Sequence, residues 1–137
     1  MTIAEIQDQI IEEMSAHEDW FDRYEALITL GREFGAPDDS LRRDEYRISG
    51  CQSAVWLTAE MRDGRLRLHA DSDSQITRGM LALLLRVFDD QPPGKVADAE
   101  LYFLDVIGLR SNLSPSRASG LGTIVRAIRE TARRHTG

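Results

Sequence analysis

The spacing of apolar residues in the first part of the chain predicts two amphipathic helices. After Thr2 the apolar side chains recur every three or four residues, which is the helical period. Thr2 and Glu5 form a capping-box pattern, so the first helix is expected to begin there and run to about Ala16. Asp19 is placed to cap a second helix, and the Gly-Ala-Pro run at 35–37 is expected to stop it.

An alternating pattern in the middle of the chain predicts a β-hairpin. Every second residue from 55 to 61 is apolar, as in a strand that buries one face. The Asp-Gly pair at 63–64 is a tight-turn signal, and the alternation resumes at 66–70, so the two strands are expected to pair antiparallel. A polar loop at 38–45 and a short strand at 46–49 are predicted before the hairpin.

The segment after the hairpin predicts a central helix. Four polar residues at 71–74 offer several N-caps for a helix that contains the apolar residues of 76–88. Those residues surround much of the helix axis, which is typical of a helix buried on most sides. The Pro-Pro-Gly run at 92–94 is expected to end it, and a shorter helix is predicted at about 97–107.

Ser114 followed by Pro115 predicts the start of the last helix, because proline is well tolerated at the first helical position. Aliphatic residues between Ile124 and Ile128 give this helix a buried face. The full prediction is two helices, a small antiparallel sheet and three further helices, which is an α+β fold with helices flanking the sheet. A length of 137 residues fits one domain, spanning 1–137.

Composition restricts the candidate chemistry to a lone thiol in an ordinary globular protein. Apolar residues make up 42% and charged residues 29% of the sequence. The single cysteine excludes an internal disulfide and any metal site built from several thiolates. The N-terminal segment lacks the pattern of a signal peptide, and no apolar run is long enough to span a membrane. We therefore expect a protein of the reducing cytoplasm, with no membrane partner and no metal.

The net charge of −6 is unevenly distributed along the chain. Residues 1–40 carry 11 acidic and 2 basic side chains, whereas residues 110–137 carry 6 arginines and 1 glutamate. Solvated helix faces, together with cations near a helix C-terminus, are the simplest explanation of this asymmetry. An acidic protein whose positive charge is confined to one tail does not fit nucleic-acid binding, so protein partners are expected.

Cys51 is the nucleophile of note. Buried cysteines are usually inert, but the setting of this one favours a function. Gly50 permits an unusual backbone angle directly before it, and Gln52 and Ser53 lead from it toward the predicted strand. The thiol is therefore expected at a loop tip on a stiff support.

A thiol enzyme would also need a histidine base. His69 lies on the strand predicted to pair with the one that follows Cys51, so a contact between them is left open. Strand alternation favours an exposed His69 on the face opposite the apolar positions, and His17 and His135 are expected to be solvated. Two interpretations of Cys51 therefore stay open at this point: a thiol enzyme that uses Cys51 with His69, and a noncatalytic interaction module whose cysteine serves packing.

Three motifs together resemble those of SufE-like sulfur acceptors, in order and in spacing. They are GCQSAVWL at 50–57, DSDSQITRGMLALLL at 71–85 and LSPSRASGLGTIVRAIR at 113–129, and the similarity covers nearly the whole chain. The resemblance implies a fold like that of the IscU scaffold and makes Cys51 the sulfur acceptor. Two positions depart from the family pattern: Ser119 stands where asparagine is common, and Ala54 where a larger polar residue is common.

The resemblance also implies the partners. A SufS-type cysteine desulfurase uses its own pyridoxal phosphate to form a persulfide, and the acceptor thiolate takes the outer sulfur and enhances the turnover of that enzyme. The sulfur is then offered to a SufB-like scaffold for iron–sulfur cluster assembly. This chain lacks the three cysteines of an IscU-type scaffold, so a carrier without a cofactor of its own is implied. The alternative within the same mechanism is a CsdE-like acceptor for another sulfur-transfer pathway.

Supporting roles around the cysteine follow from the same resemblance. Gln52, Ser53 and Trp56 are implied to shape the acceptor loop and its support, or to contact the partner. Asp73 belongs to the DSD turn and Arg117 to the SPSR motif. The structural alternatives are that Asp73 only caps the central helix and that Arg117 only pairs with an acidic surface residue.

Overall fold

The computed structural model describes residues 1–34 and 39–136. The helices and strands in these ranges are α1 (Ile3–Ser15), α2 (Trp20–Glu33), β1 (Val55–Arg62), β2 (Arg65–Ser72), α3 (Gln75–Phe88), α4 (Pro93–Asp98), α5 (Phe103–Val106), α6 (Leu109–Asn112) and α7 (Pro115–Arg134). A 3₁₀ turn at Asp44–Tyr46 precedes β1. The two strands form one antiparallel pair between groups of helices, so the predicted α+β class is confirmed.

The first two helices begin where the local sequence predicts. The Thr2 hydroxyl accepts a hydrogen bond from the Glu5 amide at 3.1 Å, and the Thr2 amide donates to the Glu5 carboxylate at 2.9 Å, which completes the capping box. The Asp19 carboxylate accepts from the Asp22 amide and caps α2. The predicted stop of α2 at 35–37 lies outside the described residues.

The hairpin has the predicted turn and register. Asp63 and Gly64 have φ values of 54° and 77°, the left-handed pair that a two-residue hairpin turn requires. Val55 pairs with Ser72 at the open end, and the buried residues of β2 include the predicted Leu66, Leu68 and Ala70. The apolar face of β1 is fully buried at Val55 and becomes more exposed toward the turn, where Met61 is 41% exposed.

The predicted strand at 46–49 is wrong in extent. The chain forms the 3₁₀ turn at Asp44–Tyr46, which extends from the predicted polar loop into the predicted strand, and then a single bridge between Arg47 and Trp56. The Ile48 amide donates to the Val55 carbonyl at 2.9 Å, and the pairing ends there. Gly50 has φ +90°, a left-handed value that turns the chain out of the extended conformation.

The predicted helix at 97–107 is also wrong. The structure has the end of α4, a break and then α5 in this region, and α6 follows it, so five helices rather than three follow the sheet in the described residues. Pro93 begins α4, as proline can at a first helical turn. Gln7 of α1 stabilises the break between α4 and α5: its side-chain oxygen accepts from the Tyr102 amide at 3.0 Å and its amide donates to the Glu100 carbonyl at 3.0 Å.

The central helix is α3, as predicted, and it contacts α2 almost backbone to backbone. A β-carbon on Gly79 would lie 2.2 Å from the Leu27 carbonyl oxygen, and one on Gly31 would lie 2.1 Å from the Gln75 carbonyl oxygen. Only glycine allows this approach. The aliphatic face of α7 is buried as predicted, and no helix in the described residues has the length and apolar character needed to cross a bilayer.

Candidate functional site: the Cys51 loop and its cavity

Cys51 lies on a short loop, defined here as residues 49–54, between the Arg47–Trp56 bridge and β1. The base of the loop is closed by the hydrogen bond from Ile48 to Val55. At one end, Gly50 adopts its left-handed φ, and a β-carbon there would make only an ordinary 3.6 Å contact with the Thr123 methyl group. The backbone angle, and not crowding, therefore favours glycine at this position, as the sequence predicted.

The other end of the loop is fixed by the end of β2. The Ala54 amide donates to the Asp73 carboxylate at 3.1 Å, and the Asp73 amide donates to the Ala54 carbonyl at 3.3 Å. The Ser72 hydroxyl donates to the same carbonyl at 2.7 Å. Asp73 thus anchors the loop. The alternative that it caps α3 is wrong, because the Ser74 hydroxyl accepts from the Thr77 amide and is the cap.

The Cys51 thiol is half-buried and faces α7. Its sulfur lies 3.9 Å from the Gly120 carbonyl oxygen, to which the thiol donates a weak hydrogen bond. Burial raises the pKa of the Cys51 thiol above its ordinary value. Because the thiolate is the nucleophilic form, burial lowers the reactivity of Cys51.

A small cavity of about 20 Å³ adjoins this sulfur. The loop, the start of β1, α3 and α7 contribute its walls. The lining residues are Cys51, Gln52, Ser53, Val55, Thr77, Met80, Ser116, Arg117, Gly120 and Ile124. The structure thus brings together four of the predicted site residues from two distant segments of the chain, namely Cys51, Gln52, Ser53 and Arg117.

Arg117 contributes a cation to the rim of this cavity. Its guanidinium donates to the Ser74 hydroxyl at 3.3 Å, which links the start of α7 to the start of α3. Among residues 1–34 and 39–136 it forms no ion pair, so the predicted alternative of an acidic surface partner is not seen.

Trp56 supports the loop without lining the cavity. It is 9% exposed, and the Arg42 guanidinium lies over its ring at 5.1 Å from the centroid. Arg42 also donates to the buried Asp71 carboxylate at 3.1 Å and to the Ser72 carbonyl at 3.3 Å. Sequence reasoning missed this cluster, because Arg42 and Asp71 lie 29 positions apart in the chain.

The histidines do not form a base for Cys51. His69 is exposed on β2, where it pairs across the hairpin with Thr58 and lies 3.6 Å from the Glu60 carboxylate. His135 is exposed as predicted, whereas His17 is half-buried and not fully solvated. No histidine lines the cavity, and the described residues contain no group of three or more His, Cys, Asp or Glu side chains placed to hold a metal.

The chain is similar in sequence to known proteins. The family model described as "SufE: Fe-S metabolism associated domain" matches residues 8–132. The chain is 34% identical over 131 residues to an uncharacterized SufE-like protein of Rhizobium etli, covering 92% of this chain and 88% of that protein. It is 36% identical over 111 residues to the sulfur acceptor protein CsdE of Escherichia coli, covering 80% of this chain and 76% of CsdE.

A solved structure shares the fold. The solution structure of a hypothetical protein from Thermus thermophilus superposes with a TM-score of 0.75 over 94% of both chains, at 18% identity. At that identity the likeness concerns the fold alone. The family match over most of the chain, together with relatives above 30% identity, shows that this chain belongs to the SufE family.

Proposed function

We propose that Cys51 accepts sulfur from the persulfide of a cysteine desulfurase and carries it to a second protein. The observation that carries this proposal is the position of the thiol. It is a lone, half-buried sulfur on a loop with a glycine at one end, beside a cavity of about 20 Å³, in a chain of the SufE family. Such a site has room for little more than one additional atom.

The transfer is a thiol exchange that needs no redox partner. The Cys51 thiolate attacks the outer sulfur of the desulfurase persulfide, and a new bond forms between that sulfur and Cys51 Sγ. The bond to the desulfurase cysteine breaks, and that cysteine leaves as a thiolate. A single cysteine suits this chemistry, because a second thiol in the chain would displace the sulfur and form a disulfide.

The chain is proposed to act as a carrier and not as an enzyme in its own right. Pyridoxal phosphate chemistry belongs to the desulfurase, so the carrier needs no cofactor. Its activating effect on the desulfurase would come from removing the product sulfur. A carrier thiol must stay reduced until it meets its partner, so the cytoplasm is the compartment we propose.

Two destinations for the sulfur are compatible with the family. The description of the family domain favours iron–sulfur metabolism, with a SufS-like donor and a SufB-like scaffold as partners. The similarity to CsdE favours delivery of the sulfur to another sulfur-transfer pathway. Purified desulfurases of the two types discriminate between them, because the true donor should be the one whose turnover rises when this protein is added.

The resting position of the thiol further supports a gated transfer. Burial suppresses the reactivity of Cys51, and Gly50 provides a point about which the loop can turn outward. We propose that docking of the desulfurase favours the outward state. In the free protein, Cys51 should then react slowly with iodoacetamide. The reaction should be faster when a desulfurase is bound whose own cysteine has been replaced, so that it cannot transfer sulfur. Equal rates would exclude gating.

Desulfurase turnover tests the proposed function. Wild-type protein should increase the release of sulfur from free cysteine, and Cys51→Ser should abolish this increase. The serine variant should keep the circular dichroism spectrum and melting temperature of the wild type, because a half-buried loop thiol contributes little to the core. An increase that persists in Cys51→Ser would show that Cys51 is not the acceptor.

A further inference from the structure

Gly120 is a buried glycine that faces empty space. It lies in the second turn of α7, yet a β-carbon built on it would meet no atom within 4 Å apart from its chain neighbours and its own helical turn. Gly31 and Gly79 differ, because a β-carbon on either would collide with backbone. Glycine is also a poorer helix former than alanine. Neither packing nor helix stability explains Gly120.

Gly120 and Cys51 line the same small cavity, and the Cys51 sulfur lies 3.9 Å from the Gly120 carbonyl oxygen. The reduced Cys51 thiol lies more than 4 Å from the position that a β-carbon on Gly120 would occupy, so it leaves that position empty. A cavity of about 20 Å³ holds roughly one water-sized atom.

We propose that Gly120 leaves room for the outer sulfur of a Cys51 persulfide, so that the loop closes over one transferred sulfur and over nothing larger. This inference rests on the proposed function of Cys51 as a sulfur acceptor. A sulfur–sulfur bond is about 2 Å long, so the outer sulfur reaches from Sγ into the clear space. A β-carbon on Gly120 would compete with it there, without touching the thiol.

The same geometry makes the closed loop selective for what Cys51 carries. A persulfide adds one atom to Sγ, whereas a mixed disulfide with a thiol such as glutathione adds a whole peptide. The second adduct exceeds a cavity of about 20 Å³, so we expect the loop to stay open around it. Sulfur is therefore retained in the closed state, and larger thiol adducts remain accessible to reduction.

The test loads Cys51 chemically, so that it does not depend on a desulfurase. Cys51 is first converted to a mixed disulfide with thionitrobenzoate. Hydrosulfide then attacks Sγ, the new sulfur–sulfur bond forms, and thionitrobenzoate leaves as a thiolate. Cyanide afterwards removes the outer sulfur: a carbon–sulfur bond forms, the persulfide bond breaks, and thiocyanate leaves while the Cys51 thiolate is restored. The rate of thiocyanate release reports the protection of the sulfur.

The variants compared are Gly120→Ala and Gly122→Ala. Gly122 is two residues further along α7 and does not line the cavity, and a β-carbon there would make an ordinary 3.6 Å contact with Arg126. Both substitutions improve helix propensity equally. Overfilling a packed site by one methyl group typically shifts an equilibrium by about 5- to 150-fold. Release should accelerate by about that factor in Gly120→Ala and stay at the wild-type rate in Gly122→Ala.

Alkylation of unloaded Cys51 by iodoacetamide should proceed at the same rate in all three proteins, because the thiol does not fill the space. Thiocyanate release at the wild-type rate in Gly120→Ala would overturn the proposal. So would faster alkylation of unloaded Gly120→Ala, since the methyl group would then open the loop without any outer sulfur. If the desulfurase fails to load wild-type protein, the proposed function fails instead, and the chemically loaded proteins still decide the role of Gly120.

Discussion

The anchor between Asp73 and Ala54 should control how often the Cys51 loop opens. Asp73→Ala removes the carboxylate that accepts from the Ala54 amide at 3.1 Å, while the Ser72 hydroxyl still donates to the Ala54 carbonyl. One of the bonds that fix this end of the loop is then lost. The rest of the fold keeps its contacts, because Asp73 is exposed and does not belong to the core.

The size of the effect follows from the bond that is removed. A hydrogen bond to a charged group contributes about 1.5–3 kcal/mol, and solvent exposure of Asp73 reduces this to about 1 kcal/mol. That free energy corresponds to about a fivefold larger open population. If opening is fast relative to alkylation, the rate of iodoacetamide modification of Cys51 should rise about fivefold.

Two further variants make the test specific. Asp73→Asn retains an oxygen acceptor without the charge, so its rate should fall between those of the wild type and the alanine variant. Glu12→Ala changes an exposed acidic residue of α1 and should leave the rate unchanged. A wild-type alkylation rate in Asp73→Ala, with global stability confirmed by urea unfolding, would refute the argument that this anchor holds the loop closed.

Three other predictions address stability, the absence of a base and pH. Gly79→Ala should lower the free energy of unfolding in urea by about 2 kcal/mol or more, because the β-carbon would meet the Leu27 carbonyl oxygen at 2.2 Å. The control variant Gly122→Ala should not be destabilised. Equal stabilities of the two variants would contradict the close contact between α2 and α3. His69→Ala should accept sulfur within a few-fold of wild type, whereas loss of a general base costs about a hundredfold or more. The pH profile of Cys51 alkylation should have its midpoint above that of an unperturbed cysteine, because burial disfavours the thiolate, and a midpoint at or below that value would mean the thiol is exposed. The raised pKa also makes folding stability depend on pH. At pH values below the pKa that Cys51 has in the unfolded chain, burial of the neutral thiol favours the folded state. This contribution is lost as the pH rises through the higher pKa that Cys51 has in the folded protein.

Features encoded by neighbouring residues could be predicted from the sequence. The Thr2 capping box, the Asp19 cap and the Asp-Gly hairpin turn depend on side chains within four residues of the backbone they stabilise. The candidate loop could be predicted for the same reason, since Gly50 directly precedes Cys51. In each case the residues that stabilise the feature lie next to it in the sequence, so the sequence alone indicates it.

Features determined by distant contacts could not be predicted in this way. The segment from 97 to 107 has helical spacing, but Gln7 satisfies the backbone of a break there from more than 90 positions away. The strand before Cys51 is shorter than its sequence predicts, because its pairing is limited to a single bridge. The anchoring role of Asp73 and the empty space at Gly120 appear only when α7, β2 and the loop are brought together.

The mass of the protein after incubation with a cysteine desulfurase and free cysteine tests the central claim most directly. Wild-type protein should gain the mass of one sulfur atom, peptide analysis should locate it on Cys51, and a thiol reductant should remove it. Cys51→Ser should gain nothing under the same conditions. Wild-type protein that keeps its original mass while the desulfurase turns over, or added sulfur located on any other residue, would contradict the account.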